Sequence, residues 1–124
     1  MSFTEILAPA GNMDCVISAV RSGADAIYIG AKEFSARASA ENFTTDEIEK
    51  VTAYCKERGV KVYLTLNTLI FDSEMKEALS LCQKAYKAGI DAVIVQDLGM
   101  ISLVRKILPN LEIHASTQAH THNI

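Results

Sequence analysis

The clearest pattern in the chain is a sequence motif that occurs three times: a basic residue, a glycine, and an apolar run rich in β-branched residues. Its copies are RSGADAIYIGA (21–31), KERGVKVYLTLN (56–67) and KAGIDAVIVQD (87–97). A glycine just past a helix closes the last turn in the left-handed conformation, and a preceding basic residue suits the negative end of the helix dipole. We therefore predict that Gly23, Gly59 and Gly89 each end a helix and precede a strand.

The segments before these glycines have the apolar periodicity of helices. Asn12 is suited to cap the first helix, MDCVISAVRS, and Thr44 begins a sequence with capping-box spacing. Asp72 or Ser73 opens a third helix, and a fourth, LGMISLVRKIL, is stopped by Pro109. The pattern therefore predicts four helices, each with one apolar face.

Short apolar runs alternate with these helices and predict five strands. They are EILA (5–8), AIYIG (26–30), KVYLTLN (61–67), AVIVQ (92–96) and EIHAST (112–117). Nearly continuous apolar strands are typical of a parallel sheet that is covered on both faces. The order βαβαβαβαβ therefore predicts an α/β fold.

Two architectures share this order, an open doubly wound sheet and a (β/α)8 barrel. The first strand leads into APAGNMD, which has one glycine and no G-x-G-x-x-G motif, and this disfavours a dinucleotide-binding sheet. A full barrel takes about 250 residues, so we favour a partial TIM-barrel-like repeat of about four and a half βα units. Residues 1–124 would then be the N-terminal portion of a domain, truncated after strand five. A self-contained, flavodoxin-like five-stranded sheet is the alternative.

Composition narrows the class of protein. The chain has 124 residues, 49% hydrophobic and 22% charged, which is ordinary for one soluble globular domain. It has no apolar stretch of about 18 residues and no signal-peptide pattern, so we expect a cytoplasmic protein that does not enter a membrane. A net charge of -3 gives no basic stripe, so binding of nucleic acid by this segment alone has weak support.

Candidate binding residues follow the carboxyl ends of the predicted strands, where loops converge in either architecture. The long loop from Gly30 to Thr45 brings two cationic side chains that suit a carboxylate or a phosphate. Glu5 is either an inward or an exposed carboxylate, and Asp97 is either a helix cap or a general base. The substrate-binding candidates are Asn12, Lys32, Arg37, Asn42, Asn67, Gln96, Ser116, Thr117 and Gln118.

Neither cysteines nor histidines form a recognised catalytic or metal pattern. The three cysteines are odd in number and far apart: Cys15, Cys55 and Cys82. We interpret them as small buried hydrophobes on helices. The histidine spacing H-x5-H-x-H in the tail fits no common zinc site, so no metal is predicted, and His114 is interpreted as a packed or hydrogen-bonded strand residue. No catalytic triad order or nucleophile elbow occurs, so the catalytic residues stay unknown.

Three stretches together resemble the N-terminal part of the collagenase-like peptidases, peptidase family U32. They are ILAPAGNMDCVISAVRSGADAIYIGAKEFSARASAENFT, NTLIFDSEM and AVIVQDLGMISLVRKILPNLEIHASTQAHTHN. The resemblance implies a TIM-barrel-like domain of a bacterial or archaeal protein. It also implies either collagen-degrading proteolysis or oxygen-independent hydroxylation of tRNA, ribosomal RNA or a ubiquinone precursor. In the hydroxylation branches it implies an iron-sulfur cluster on clustered cysteines, and in those that modify RNA a link to prephenate.

This segment lacks the H-G-A-x-C signature and the cysteine cluster of the family, which belong further along such chains. We therefore expect the N-terminal fragment of a collagenase-like hydrolase, inactive alone, with no cofactor of its own. The alternatives are part of an iron-sulfur RNA or quinone-precursor hydroxylation protein and a small-anion-binding or structural domain. The full-length protein would take a peptide or RNA substrate. A partial barrel has two exposed sheet edges, so we also expect self-association.

Overall fold

The computed structural model describes residues 5–30, 43–66, 72–95 and 98–115. Within them, strands and helices alternate as the sequence predicts. The elements are β1 Leu7–Pro9, α1 Met13–Arg21, β2 Ala26–Gly30, α2 Thr45–Glu57, β3 Lys61–Leu66, α3 Asp72–Ala88, β4 Ala92–Val95, α4 Leu98–Ile107 and β5 Glu112–Ala115. The first strand begins two residues later than predicted and includes Pro9, because Leu7 is the first residue of β1 that pairs with β2.

The sheet has the order β1-β2-β3-β4-β5, and every neighbouring pair is parallel. A flavodoxin-like sheet has the order 2-1-3-4-5, because its chain reverses direction across the sheet. Here each strand is added on the same side of the previous one, as in a (β/α)8 barrel. The alternative of a self-contained doubly wound sheet is therefore wrong, and the prediction of a partial barrel-like repeat is confirmed.

All four helices pack on one face of this sheet. Alternate strand residues such as Ile27, Leu64 and Val93 share a single buried core with residues from every helix. The helix residues in that core include Val16 of α1, Ile48 and Val51 of α2, Cys82 of α3, and Met100 and Val104 of α4. Helices on a single face make the sheet one wall of a barrel and leave its opposite face, here called the inner face, without helices. No helix within the described ranges combines the length and apolar composition needed to cross a bilayer.

The capping hydrogen bonds that the sequence predicts are present at the starts of α1 and α2. The Asn12 carboxamide oxygen accepts a 2.9 Å hydrogen bond from the Cys15 amide. Thr44 forms the full capping box, because its hydroxyl accepts from the Glu47 amide at 3.3 Å and its own amide donates to the Glu47 carboxylate at 2.9 Å. The glycines of the repeated motif, Gly23, Gly59 and Gly89, have φ values of +92°, +72° and +113°, which are typical of a glycine that ends a helix.

Two aspartates join neighbouring strands at the amino-terminal edge of the sheet. The Asp25 amide donates to the Ile6 carbonyl at 2.8 Å, while the Asp25 carboxylate accepts from the Ile6 amide at 2.7 Å. Asp91 makes the same pair of bonds with Val62, both at 2.8 Å. We call these contacts the Asp25 and Asp91 clamps. Each aspartate lies two residues after the glycine of a repeated motif. The third copy of the motif has Lys61 at this position.

Candidate functional site on the inner face of the sheet

The inner face is formed by the strand residues that alternate with the core residues. Strand register places Pro9, Tyr28, Tyr63, Ala92 and Glu112 in one row across the sheet. Ala26, Tyr63 and Ala92 form a second buried cluster, against which Tyr28 and Ile94 pack. A polar and aromatic surface therefore lies opposite the helices, where the interior of a barrel would be.

Tyr63 is the centre of this surface and is 3% exposed. Its hydroxyl lies 3.2 Å from both carboxylate oxygens of Glu5 and donates to them. Its ring meets the His114 ring edge-on, with centroids 4.9 Å apart and an interplanar angle of 70°. The His114 Nε2 atom lies 3.2 Å from the Glu112 Oε1 atom. We call Glu5, Tyr63, Glu112 and His114 the inner-face network.

The network follows the packing rule of barrel interiors, in which one layer is filled by side chains from alternate strands. Tyr63 comes from β3, His114 from β5, and Glu5 from the segment that enters β1. The intervening strands contribute Ala26 and Ala92 to the same cluster. Because these methyl side chains are small, the phenol ring lies between them and reaches partners two strands away on either side.

The charges around Tyr63 favour a neutral phenol. Burial, together with the negative charge of Glu5, raises the pKa of Tyr63 to about 12. Tyr63 therefore keeps its proton at neutral pH and acts as a hydrogen-bond donor. The charged residues on the described inner face are two carboxylates, those of Glu5 and Glu112, and one ammonium group, that of Lys61. This surface suits hydrogen-bond donors and cationic groups better than it suits a small anion.

Of the predicted binding residues, Asn12 is within the described part of the chain, and its carboxamide caps α1. It also borders an open groove between β1 and α1. The other candidates lie outside the described residues and stay predictions: Lys32, Arg37, Asn42, Asn67, Gln96, Ser116, Thr117 and Gln118. Asp97 also lies outside them. Glu5 is exposed, which is one of its two predicted alternatives, and its carboxylate also accepts from the Tyr63 hydroxyl on the inner face.

The cysteine prediction is correct for two residues and wrong for the third. Cys55 and Cys82 are fully buried in the core between the sheet and the helices. Cys15 is exposed, because it lies on the side of α1 that faces the groove next to β1. The helical periodicity of α1 does not distinguish that open side from a covered one.

The buried thiols of Cys55 and Cys82 do not fit a reactive site or an iron-sulfur cluster. Burial raises the pKa of Cys55 to about 11 and that of Cys82 to about 12, so both stay protonated and poorly nucleophilic. They also lie on the helix side of the sheet, away from the inner-face network. Among the described residues, no three histidine, cysteine, aspartate or glutamate side chains are grouped to hold a metal ion.

Sequence comparison finds relatives that are named for each of the two activities that the resemblance implies. The profile described as Peptidase family U32 matches residues 11–124. The Collagenase of Porphyromonas gingivalis is 38% identical over 120 residues, which are 96% of this chain and 28% of that protein. The tRNA hydroxylation protein P1 of Bacillus subtilis is 37% identical over 119 residues, with the same shares of the two chains. The chain thus spans less than a third of the length of these relatives.

Structural comparison agrees with the barrel architecture. The solved structure of the U32 peptidase Mk0906 matches with a TM-score of 0.75 at 20% sequence identity. The match covers 96% of this chain and 51% of that one. The same wall of alternating strands and helices is therefore present in about half of that larger chain.

Proposed function

Because the chain belongs to peptidase family U32, we propose that it is the N-terminal barrel segment of a protein that hydroxylates RNA. The observation that carries this proposal is the 37% identity to a tRNA hydroxylation protein over 96% of the chain. The same proposal places the protein in the cytoplasm, where its RNA substrates are made. An iron-sulfur cluster would be bound by residues of the parent protein beyond the thiols described above.

The inner-face network supports this proposal through its chemistry. A neutral phenol, two carboxylates and an imidazole are hydrogen-bonding groups that suit the polar edges of an unpaired base. Tyr63 is held on both sides, by Glu5 and by His114, so its orientation is fixed before a ligand binds. The network lies on the face that forms a barrel interior, toward the amino-terminal edge of the sheet, because Glu5 precedes β1 and Glu112 begins β5.

Deletion of the gene tests this function. Total tRNA and ribosomal RNA from the deletion strain would be digested to nucleosides and analysed by mass spectrometry. We expect one hydroxylated nucleoside to lose its added oxygen atom, and the intact gene on a plasmid to restore it. Unchanged nucleosides in both RNA classes would overturn the proposal.

A collagenase-like peptidase is the second candidate, favoured by the 38% identity to the Collagenase of Porphyromonas gingivalis. Gelatin cleavage by the full-length protein would support it, especially if the deletion strain kept its RNA modifications. The 124-residue chain alone is expected not to cleave gelatin, because it supplies no recognisable pair of nucleophile and base. Cleavage that a substitution within the 124-residue chain abolishes would contradict that expectation.

A further inference from the structure

Charged side chains collect at the amino-terminal edge of the sheet. Because every strand is parallel to its neighbours, all four helices end at this edge. We define the amino-terminal rim as the last turn of each helix, the turn after it and the first residue of the next strand, together with Glu5. The rim has seven basic and five acidic side chains, whereas the whole chain has a net charge of -3. The basic residues are Arg21, Lys56, Arg58, Lys61, Lys87, Arg105 and Lys106, and the acidic residues are Glu5, Asp25, Glu57, Asp91 and Glu112.

Every acidic side chain of the rim has a partner within the protein. Asp25 and Asp91 accept hydrogen bonds from backbone amides in the two clamps. Glu57 forms a 3.4 Å ion pair with the guanidinium of the next residue in the chain. Glu5 and Glu112 belong to the inner-face network. The acidic residues of the rim are therefore held by other contacts, and among these contacts only that of Glu57 engages a basic residue of the rim.

The basic side chains of the rim, in contrast, are exposed and mostly unpaired. All seven are exposed. Among the described contacts, Arg58 is the one that has a carboxylate partner, and its guanidinium also lies 3.7 Å from the centroid of the Tyr54 ring. Lys56 and Lys61 line an open cleft of about 230 Å³ between the ends of α2 and α3. Two ammonium groups that have no described carboxylate partner therefore border one concave part of the rim.

The helix dipole explains only part of this pattern. A basic residue in the last turn complements the negative end of the dipole, and each of the four helices has at least one such residue. Lys61 lies outside this explanation, because it begins β3. It occupies the position at which the other copies of the repeated motif have the clamp residues Asp25 and Asp91. An exposed ammonium group thus replaces a carboxylate, and a negatively charged ligand accounts for that replacement.

The arrangement of the cations fits an extended anion better than a small one. They lie at the ends of four helices that follow one another in the order of the strands. In the sequence they are far apart, so no basic stripe is visible there, and the parallel topology brings them to one edge. The backbone of a nucleic acid carries a row of phosphate groups that several lysine and arginine side chains can contact at once.

We propose that the amino-terminal rim binds the phosphate backbone of the RNA substrate, with Lys56 and Lys61 at the centre of the contact. The proposal rests on the proposed function for the identity of the substrate. Contacts to phosphate groups position an RNA without reading its sequence. The rim holds the RNA at the edge of the sheet toward which the inner-face network also lies, and leaves contact with the base to that network.

Binding of bulk tRNA from the deletion strain to the full-length protein tests the rim. The affinity would be measured by fluorescence anisotropy at several salt concentrations. The double variant Lys56→Gln/Lys61→Gln removes two charges and keeps side chains of similar length. Each lost phosphate contact lowers the slope of log affinity against log salt concentration by about 0.7–0.9 in magnitude. We therefore expect a slope that is smaller by about 1.5 and an affinity that is about tenfold lower at roughly 0.15 M salt.

Lys50→Gln/Lys76→Gln is the matched control. It makes the same change of charge at two exposed lysines of α2 and α3 that lie outside the rim. The control should keep the slope and the affinity of the unchanged protein, and far-UV circular dichroism should show the same fold for both double variants. Equal losses of affinity in the two double variants, or no loss in either, would overturn the proposal.

The same variants in the deletion strain separate this proposal from the proposed function. At equal protein levels, the control should restore the hydroxylated nucleoside as fully as the unchanged gene, and Lys56→Gln/Lys61→Gln should restore less of it. Full restoration by Lys56→Gln/Lys61→Gln, with unchanged affinity for tRNA, would overturn the role of the rim alone. If the deletion changes no nucleoside, the proposed function is wrong, and the salt dependence of tRNA binding still decides whether the rim binds RNA phosphates.

Discussion

Replacing Asp91 with alanine would measure what the Asp91 clamp contributes to stability. The Asp91 carboxylate accepts a 2.8 Å hydrogen bond from the Val62 amide, and Val62 is 1% exposed. Without the carboxylate, this amide has no other acceptor in the described contacts and is shielded from water. A buried donor left without a partner costs about 1–3 kcal/mol, so we expect the free energy of unfolding to fall by about 2 kcal/mol.

Asp25→Ala is the matched comparison. Its carboxylate accepts from the Ile6 amide at 2.7 Å in the same geometry, but Ile6 is 57% exposed. Water therefore replaces the lost acceptor, and the expected loss is about 0.5–1 kcal/mol. The difference between the two alanine variants isolates the effect of burying the amide.

Urea unfolding followed by circular dichroism, at one fixed protein concentration, measures both losses. Asp91→Asn should fall between the wild-type chain and Asp91→Ala, because a carboxamide oxygen still accepts from Val62. The midpoint should move without a change in the m value, since the folded core is the same. Equal losses for Asp91→Ala and Asp25→Ala, or no loss for Asp91→Ala, would show that burial of the Val62 amide does not set the cost.

Two further predictions follow from the buried ionisable groups. Burial raises the pKa of Cys55 from its ordinary value of 9.0 to about 11, that of Cys82 from 9.0 to about 12, and that of Tyr63 from 10.0 to about 12. These groups bind protons more tightly when folded, so their stabilisation is complete below about pH 9 and is lost as pH rises towards 12. Urea midpoints should therefore fall on the alkaline side, and a midpoint independent of pH there would contradict the assignment. Thiol labelling of the native chain should modify Cys15 rapidly, and Cys55 and Cys82 should react after unfolding in urea; rapid reaction of all three would contradict the described core.

The parts of the fold that were predictable are those set by local chemistry. Gly23, Gly59 and Gly89 end helices because a left-handed residue is needed directly after the last turn. The Thr44 capping box joins residues three apart, and its spacing is visible in the sequence. Strand order was left open between two architectures, since alternation of helices and strands is common to both.

The inner-face network was missed because its contacts join distant parts of the chain. Tyr63 and Glu5 are 58 positions apart; Tyr63 lies on β3, whereas Glu5 precedes β1, which is not adjacent to β3. Alternation in KVYLTL does place Lys61, Tyr63 and Thr65 on one face, and this was the available signal. It does not tell how far a tyrosine reaches across neighbouring strands, which depends on alanines at positions 26 and 92. The exposure of Cys15 likewise depends on which elements lie beside α1.

Complementation of the deletion strain tests most directly whether the inner face serves a reaction on RNA. In the deletion strain, the gene would be supplied in its unchanged form, as Tyr63→Phe, or as the control Tyr86→Phe. Tyr63→Phe removes the hydroxyl that donates to Glu5 and keeps the ring that packs against His114. We expect the hydroxylated nucleoside to return with the unchanged gene and with Tyr86→Phe, and to be strongly reduced with Tyr63→Phe at equal protein levels. Full restoration by Tyr63→Phe would contradict it.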